Sequence, residues 1–205
     1  MTTPSFNSAS ALPLLCTFFA MGLGGIAVVA ALYGYYYGAF AFALLGLLFD
    51  SLDGHLARKW NVASRFGAVA DACADVVIYL FFPAVLIYEL GYQSPAYLVG
   101  LAALLSLGVV RLIRFVRSGL VQENDGGLFY RGLPVFWTHP LVAFLLLVRL
   151  SGVYLNGTVL ALIIFGGSLL MVGTFRFPKP SNIRYVAPPI VFAAVIFFFI
   201  EWYVR

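Results

Sequence analysis

Long apolar segments separated by short polar ones dominate the hydrophobic pattern of the chain. An apolar run of about 20 residues is long enough to cross the bilayer core as a helix. Seven such runs occur, so the pattern predicts an all-α integral membrane protein, a bundle of about seven transmembrane helices. The predicted spans are Leu12–Tyr33, Ala39–Arg58, Gly67–Tyr88, Ala96–Val116, Leu133–Leu150, Gly157–Phe175 and Tyr185–Tyr203.

The composition of the chain agrees with a membrane location. Of its 205 residues, 63% are hydrophobic and only 10% are charged, and the mean hydropathy is +1.00, whereas a soluble domain has about 25% charged residues. A chain of this length is expected to form one domain over residues 1–205. The net charge of +4 bears on topology and on anionic membrane lipids, and gives no support for a nucleic-acid partner.

Four of the eight acidic residues lie between Asp50 and Asp75, where the second predicted span meets the third. Asp50 and Asp53 are three positions apart. Asp71 and Asp75 are four apart, and either spacing puts both side chains on one helical face. Two such pairs facing one another across a short turn would form an all-oxygen cage, which suits Mg²⁺ or Mn²⁺. Because carboxylates at a membrane-embedded helix end are costly unless they are used, we place the functional site here.

The acidic pairs belong to a longer pattern with fixed spacing. It reads Asp-x-x-Asp-Gly-x-x-Ala-Arg, then eight residues, then Gly-x-x-x-Asp-x-x-x-Asp, and it runs from Asp50 to Asp75. All eight fixed positions resemble the full signature of the CDP-alcohol phosphotransferases (CDP-alcohol phosphatidyltransferases). The resemblance implies a six-helix family core, here followed by a C-terminal helix, in a possible homodimer.

The resemblance also implies a role for each acidic residue. Two divalent cations, Mg²⁺ or Mn²⁺, would be bridged by Asp50 and Asp71. Asp53 would complete the first cation site and Asp75 the second. Asp75 is also the position that the family uses as general base on the acceptor hydroxyl.

The remaining signature positions are expected to bind the CDP-lipid. Gly54 would let a nucleotide approach the backbone, and Arg58 could bind phosphate oxygens with its planar guanidinium. Ser64 and Gly67 match nucleotide-site positions of the family. Acidic residues at helix ends often act as caps or dipole partners, but capping explains neither Gly54 nor Arg58.

Three arginines, Arg111, Arg114 and Arg117, follow one side of the fourth predicted span at three-residue steps. One interpretation is a row of snorkelling cations that anchors the helix at the membrane surface. The other is binding of an anionic acceptor, for which Arg111 and Arg114 are the candidates. Arg111 is the better of the two because it lies deepest in the span.

The implied reaction transfers a phosphatidyl group from CDP-diacylglycerol to the hydroxyl of a small polar alcohol and releases CMP. The segments around Asp50–Lys59, Arg111–Phe115 and Gly132–Pro134 are most similar to the phosphatidylserine synthase branch, which favours L-serine. Tyr79–Pro83 and Trp137 are closer to bacterial phosphatidylcholine synthases. Choline therefore remains an alternative acceptor, and glycerol phosphate and inositol compounds are lower-ranked alternatives.

A function of another class, divalent-cation transport, would also use carboxylates inside membrane spans. Transporters tend to place their site near the bilayer midplane, often at broken helices in repeated halves. The acidic residues here lie at one end of two adjacent spans, Arg58 belongs to the same motif, and no repeat is visible. These features favour the transferase.

The Lys and Arg residues predict the orientation of the chain. If the turn between Asp53 and Asp71 faces the cytoplasm, ten of the twelve cations lie at cytoplasmic ends of the spans, and only Arg149 and Arg205 fall outside. That distribution satisfies the positive-inside rule. We therefore expect a protein integral to a bacterial or archaeal cytoplasmic membrane, with its active site on the cytoplasmic side.

Overall fold

The computed structural model describes residues 8–62, 64–118, 121–122, 128–153, 155–178 and 183–205. Within these residues each predicted span contains a helix, which confirms the helical membrane bundle, although the helical segment of the fifth span begins at Val135 and that of the sixth ends at Val172. Five helical segments are long and apolar enough to cross a bilayer, and the fifth and sixth predicted spans form shorter apolar helices. The helices are α1 (Ser8–Leu32), α2 (Tyr36–Lys59), α3 (Arg65–Asp75), α4 (Phe82–Glu89), α5 (Pro95–Ser118), α6 (Thr138–Ser151), α7 (Gly157–Val172) and α8 (Ile183–Val204).

The third span is continuous from Arg65 to Glu89 but is not regular throughout. A π-helical segment, Val76–Phe81, joins α3 to α4 directly after Asp75. Such segments are rare and often lie at functional sites. The wider turn changes which side chains of this span face the acidic residues of α2.

The turn between α2 and α3 reverses the chain and brings the two acidic pairs towards each other. Asn61 lies in the left-handed region with φ +54°, a conformation that Asn adopts more readily than most residues. Ser64 then caps α3, because its Oγ accepts a hydrogen bond from Gly67 N at 3.0 Å, the usual role of a serine at this position.

A small antiparallel sheet covers the end of the bundle at which α5 and α7 terminate, and the helical prediction did not include it. Its strands are β1 (Val121–Gln122), β2 (Leu128–Arg131) and β3 (Arg176–Pro178), in the order β1-β2-β3. Tyr130 pairs with Phe177 in the register of β2 and β3.

The π-helical segment lies in the centre of the bundle. Ile78, Tyr79 and Leu80 are almost completely buried and belong to a core cluster with residues of α5, α6 and α7. A Cβ at Gly108 of α5 would lie only 2.5 Å from Leu80 Cδ2. Gly108 therefore permits α5 to pack closely against the segment that follows Asp75.

Candidate metal and active site

Three of the predicted metal ligands meet where α2 ends and α3 begins. One carboxylate oxygen from each of Asp50, Asp53 and Asp71 can be chosen so that all three lie within 4.8 Å of one another. Oδ1 of Asp50 is buried and finds no hydrogen-bond donor among the described residues, an arrangement that is costly unless a cation or proton compensates it. The three residues supply only oxygen donors, so they fit a hard divalent cation.

Asp75, the fourth predicted ligand, lies at the edge of this group rather than inside it. Its side chain is only 9% exposed, and it interacts electrostatically with Asp71 and Arg111 and with Asp50. Asp75 thus lies between the acidic cluster and the arginine of α5. The structure brings three of the four carboxylates into one group and places the fourth beside them.

Two hydroxyl groups that sequence reasoning missed contact the acidic residues of α2. Tyr79 donates a hydrogen bond to Asp50 Oδ2 at 2.7 Å, and Thr17 of α1 donates to Asp53 Oδ2. Both hydroxyl-bearing residues are buried, with 2% and 4% exposure. The Thr17 hydroxyl also lies 3.2 Å from the carbonyl oxygen of Pro13 on its own helix, a local partner that a hydroxyl in an apolar helix can use, so no specific signal for Asp53 was present in the sequence.

Two of the predicted CDP-lipid residues, Gly54 and Arg58, lie together beside Asp53. A Cβ at Gly54 would lie 3.2 Å from Arg58 Nη1, so the Arg58 guanidinium folds back over this glycine. Arg58 is exposed and interacts electrostatically with Asp53. Ser64 and Gly67 are joined by the cap of α3. Their contacts with a nucleotide remain a prediction.

Arg111 is buried beside the acidic cluster, with only 4% exposure. Its guanidinium carbon lies 5.5 Å from the ring centres of both Phe115 and Tyr130, within the range of a cation–π contact. Burial raises the pKa of Tyr130, in β2, to about 12, so its phenol stays neutral at physiological pH. The small sheet therefore supplies one wall around Arg111, a contact that the sequence pattern did not reveal.

Arg114 has a different environment from that of Arg111. Its guanidinium donates hydrogen bonds to the carbonyl oxygens of Val172 (2.8 Å), Arg131 (3.0 Å), Met171 (3.1 Å) and Gly173 (3.2 Å). These bonds tie the end of α7 to β2. Because these donors are directed at the backbone, Arg111 stays the better candidate, and a contact between Arg114 and the acceptor remains a prediction.

Several known proteins to which the chain is similar are named as enzymes of phospholipid synthesis. The chain is 32% identical over 157 residues to the CDP-diacylglycerol–serine O-phosphatidyltransferase of Methanocaldococcus jannaschii, covering 76% of this chain and 71% of that protein. It is 32% identical over 188 residues to the archaetidylserine synthase of Methanothermobacter thermautotrophicus, covering 87% and 74%. It is 30% identical over 148 residues to the phosphatidylcholine synthase of Pseudomonas aeruginosa, covering 70% and 58%.

The family comparison extends well beyond the acidic motif. The sequence model described as CDP-alcohol phosphatidyltransferase matches residues 10–175, which include α1 to α7 almost entirely. The match contains the acidic cluster, Arg111 and the first two strands of the sheet. The chain therefore belongs to the CDP-alcohol phosphatidyltransferase family.

Proposed function

We propose that this protein transfers the phosphatidyl group of CDP-diacylglycerol to the hydroxyl of L-serine, which gives phosphatidylserine and CMP. The observation that carries the proposal is the buried Arg111 next to a group of carboxylates suited to a divalent cation. Two of the relatives described above are named for serine-using phospholipid synthesis. The integral membrane fold suits a lipid substrate.

The metal site in this proposal holds two divalent cations, Mg²⁺ or Mn²⁺. Asp50 and Asp71 would serve both cations, Asp53 would complete the first site and Asp75 the second. When bound, the cations neutralise the charge of the pyrophosphate and stabilise the leaving CMP. The orphaned Oδ1 of Asp50 supports this assignment, because a cation would supply the partner that this oxygen lacks.

The other signature residues bind and orient the substrates. Gly54 exposes backbone to the cytidine nucleotide, Arg58 binds phosphate oxygens, and Ser64 and Gly67 border the nucleotide at the start of α3. Asp75 accepts the proton of the serine hydroxyl as that oxygen bonds to the phosphorus of the phosphatidyl group. The bond from this phosphorus to the CMP oxygen breaks, and the electron pair leaves with CMP.

The surroundings of Arg111 favour serine over choline. A serine carboxylate can pair with the guanidinium, whereas the quaternary ammonium of choline would be repelled by it. Aromatic faces bind quaternary ammonium groups, but the faces of Phe115 and Tyr130 near this site contact Arg111 itself. Choline is the second candidate because the relative from Pseudomonas aeruginosa is named phosphatidylcholine synthase. Glycerol phosphate is anionic like serine and must be tested beside it.

A panel of acceptors tests the proposed function. Purified protein is incubated with CDP-diacylglycerol, Mn²⁺ or Mg²⁺ and one alcohol at a time: serine, choline, glycerol 3-phosphate or inositol. We expect CMP release that depends on serine, with phosphatidylserine as the lipid product. Release with choline alone would overturn the acceptor assignment. The absence of release with every alcohol would count against the transferase and return cation transport to consideration.

Replacement of Arg111 tests the acceptor site directly. Arg111→Ala should raise the apparent KM for serine by about 10-fold or more, because hydrogen bonds to a charged group typically contribute about 1.5–3 kcal/mol. The apparent KM for CDP-diacylglycerol should change much less. Arg117→Ala is the matched control, since Arg117 lies on the same helix and is exposed. Equal changes in both KM values, or none, would assign Arg111 a topological role and strengthen choline as acceptor.

We also propose that the active site faces the cytoplasm of a bacterial or archaeal cell, on the strength of the cation distribution. Ser64 and Ser94 are exposed and flank opposite ends of the Arg65–Glu89 span. Single cysteines at these positions, in a background without Cys16 and Cys73, should react with an impermeant reagent from opposite sides of sealed vesicles. Reaction of Ser64→Cys from the outer side, or of both from one side, would contradict the topology.

The assembly of the protein is proposed from the family resemblance. Residues 1–205 would form one membrane domain, and two chains would form a homodimer. Cross-linking in the native membrane, followed by mass determination in detergent, tests the dimer.

A further inference from the structure

The two carboxylates of α2 are held by hydroxyl groups that come from other helices. Tyr79, in the π-helical segment, donates to Asp50 Oδ2, and Thr17, in α1, donates to Asp53 Oδ2. In each case a single oxygen of the carboxylate is engaged by the hydroxyl. For Asp50 the second oxygen, Oδ1, is buried and has no hydrogen-bond donor in the part of the chain that the structure describes.

We propose that Tyr79 and Thr17 are positioning residues for the metal site. Each hydroxyl fixes one oxygen of its carboxylate, so that rotation about the last side-chain bond is restricted and the other oxygen stays directed at the cation. Partners of metal-binding groups are known to orient the ligands in this way. The inference rests on the proposed metal site and adds two residues outside the family signature to it.

Tyr79 is itself held in place by a ring contact, by a hydrogen bond to its backbone and by burial. Its ring packs against His139, with ring centres 5.0 Å apart. Its backbone carbonyl accepts a hydrogen bond from Thr138 Oγ1 at 2.9 Å, and the residue is only 2% exposed. A buried ring with these neighbours has little freedom to swing away, so the phenol is a rigid support for Asp50.

Thr17 reaches Asp53 because α1 and α2 approach closely. A Cβ at Gly46 of α2 would lie 3.3 Å from the carbonyl oxygen of Ala20 in α1. Ala20 lies about one helical turn beyond Thr17, and Gly46 lies about two turns before Asp53. The glycine thus sets the short helix separation that a threonine side chain requires to reach a carboxylate on the neighbouring helix.

Mn²⁺ binding measures this role without reference to turnover. Binding to the purified protein is followed by the electron paramagnetic resonance signal of free Mn²⁺ for Tyr79→Phe and for Thr17→Val. Each variant removes a hydroxyl and preserves most of the side-chain shape. We expect each to weaken Mn²⁺ binding by about 10-fold, the lower end of the effect of such partners. In turnover, the apparent KM for Mn²⁺ should rise while kcat at saturating Mn²⁺ changes little.

Two control variants separate positioning from a general effect on stability. Tyr37→Phe removes a buried phenol hydroxyl near the opposite end of α2 and should leave Mn²⁺ binding unchanged. Thr17→Ser retains a hydroxyl and should restore most of the affinity that Thr17→Val loses. The thermal midpoint of each variant is measured in detergent without metal.

The outcomes distinguish this inference from the metal site on which it depends. If Asp50→Asn loses Mn²⁺ binding while Tyr79→Phe and Thr17→Val retain full affinity, the positioning role is wrong, whatever happens to the thermal midpoints. If Asp50→Asn also retains full affinity, the proposed metal site itself is wrong. Should Tyr79→Phe fail to fold, the comparison of Thr17→Val with Thr17→Ser decides the inference.

Discussion

Asp50→Asn and Asp71→Asn should each abolish CMP release and divalent-cation binding while leaving the helical bundle folded. In the proposed site both residues would serve two cations, so each replacement would remove negative charge from both ions at once. The remaining carboxylates cannot compensate two divalent charges in a buried position. The fold should survive, because an uncharged amide is less costly than a carboxylate in an apolar span.

The measurements are Mn²⁺ binding, CMP release and the thermal midpoint in detergent. Glu89→Gln serves as the matched control, because it neutralises a carboxylate at the far end of the Arg65–Glu89 span, which also carries Asp71. That variant should retain both binding and turnover. Full turnover of the unmodified protein in the presence of a strong chelator would refute the metal-dependent mechanism, as would an active Asp50→Asn or Asp71→Asn variant.

The bundle was predictable because long apolar runs leave a membrane-embedded chain few alternatives to helix. The acidic cluster was also largely predictable. The spacing within each pair fixes a helical face, and the short connection between α2 and α3 brings the faces together, as the geometry of Asp50, Asp53 and Asp71 shows. Local sequence was sufficient for these features.

Neither the small sheet nor the π-helical segment could be predicted, and the reason is the same for both. Strands of two to four residues are too short to show an alternating pattern, and β2 pairs with β3 from a distant part of the chain. The π-helical turn depends on packing around Tyr79 rather than on hydrophobic period. Tertiary contacts decide both, and a single sequence does not show them.

The arginines of α5 show where regular spacing becomes ambiguous. Arg111 and Arg114 are three residues apart, and the sequence left each open to two roles, anchoring the helix or binding the acceptor, with Arg111 the better candidate for the second. In the structure Arg111 faces Asp75 and two aromatic rings, whereas Arg114 binds the carbonyls at the end of α7. Helical spacing gives the side of the helix, but the neighbouring elements determine what each side chain contacts.

Asp75→Asn separates general-base catalysis from metal binding. The replacement keeps the size of the side chain and one oxygen ligand, but an amide oxygen does not take the proton of the acceptor hydroxyl. General-base catalysis typically contributes about 10²–10⁴-fold, so kcat should fall by at least that factor. Binding of the CDP-lipid should change much less, because the amide retains an oxygen ligand and the group formed by Asp50, Asp53 and Asp71 is left intact.

Asp53→Asn provides the contrasting variant for this experiment. Asp53 belongs to the group of three and has no role as a base in the mechanism, so its replacement should weaken CDP-lipid binding and turnover together. The measurement is kcat, with CDP-diacylglycerol affinity, for both variants at saturating serine and Mn²⁺. If Asp75→Asn loses lipid binding in parallel with turnover, as Asp53→Asn is expected to do, Asp75 acts only as a ligand. The proton of serine must then be accepted by another group at the site.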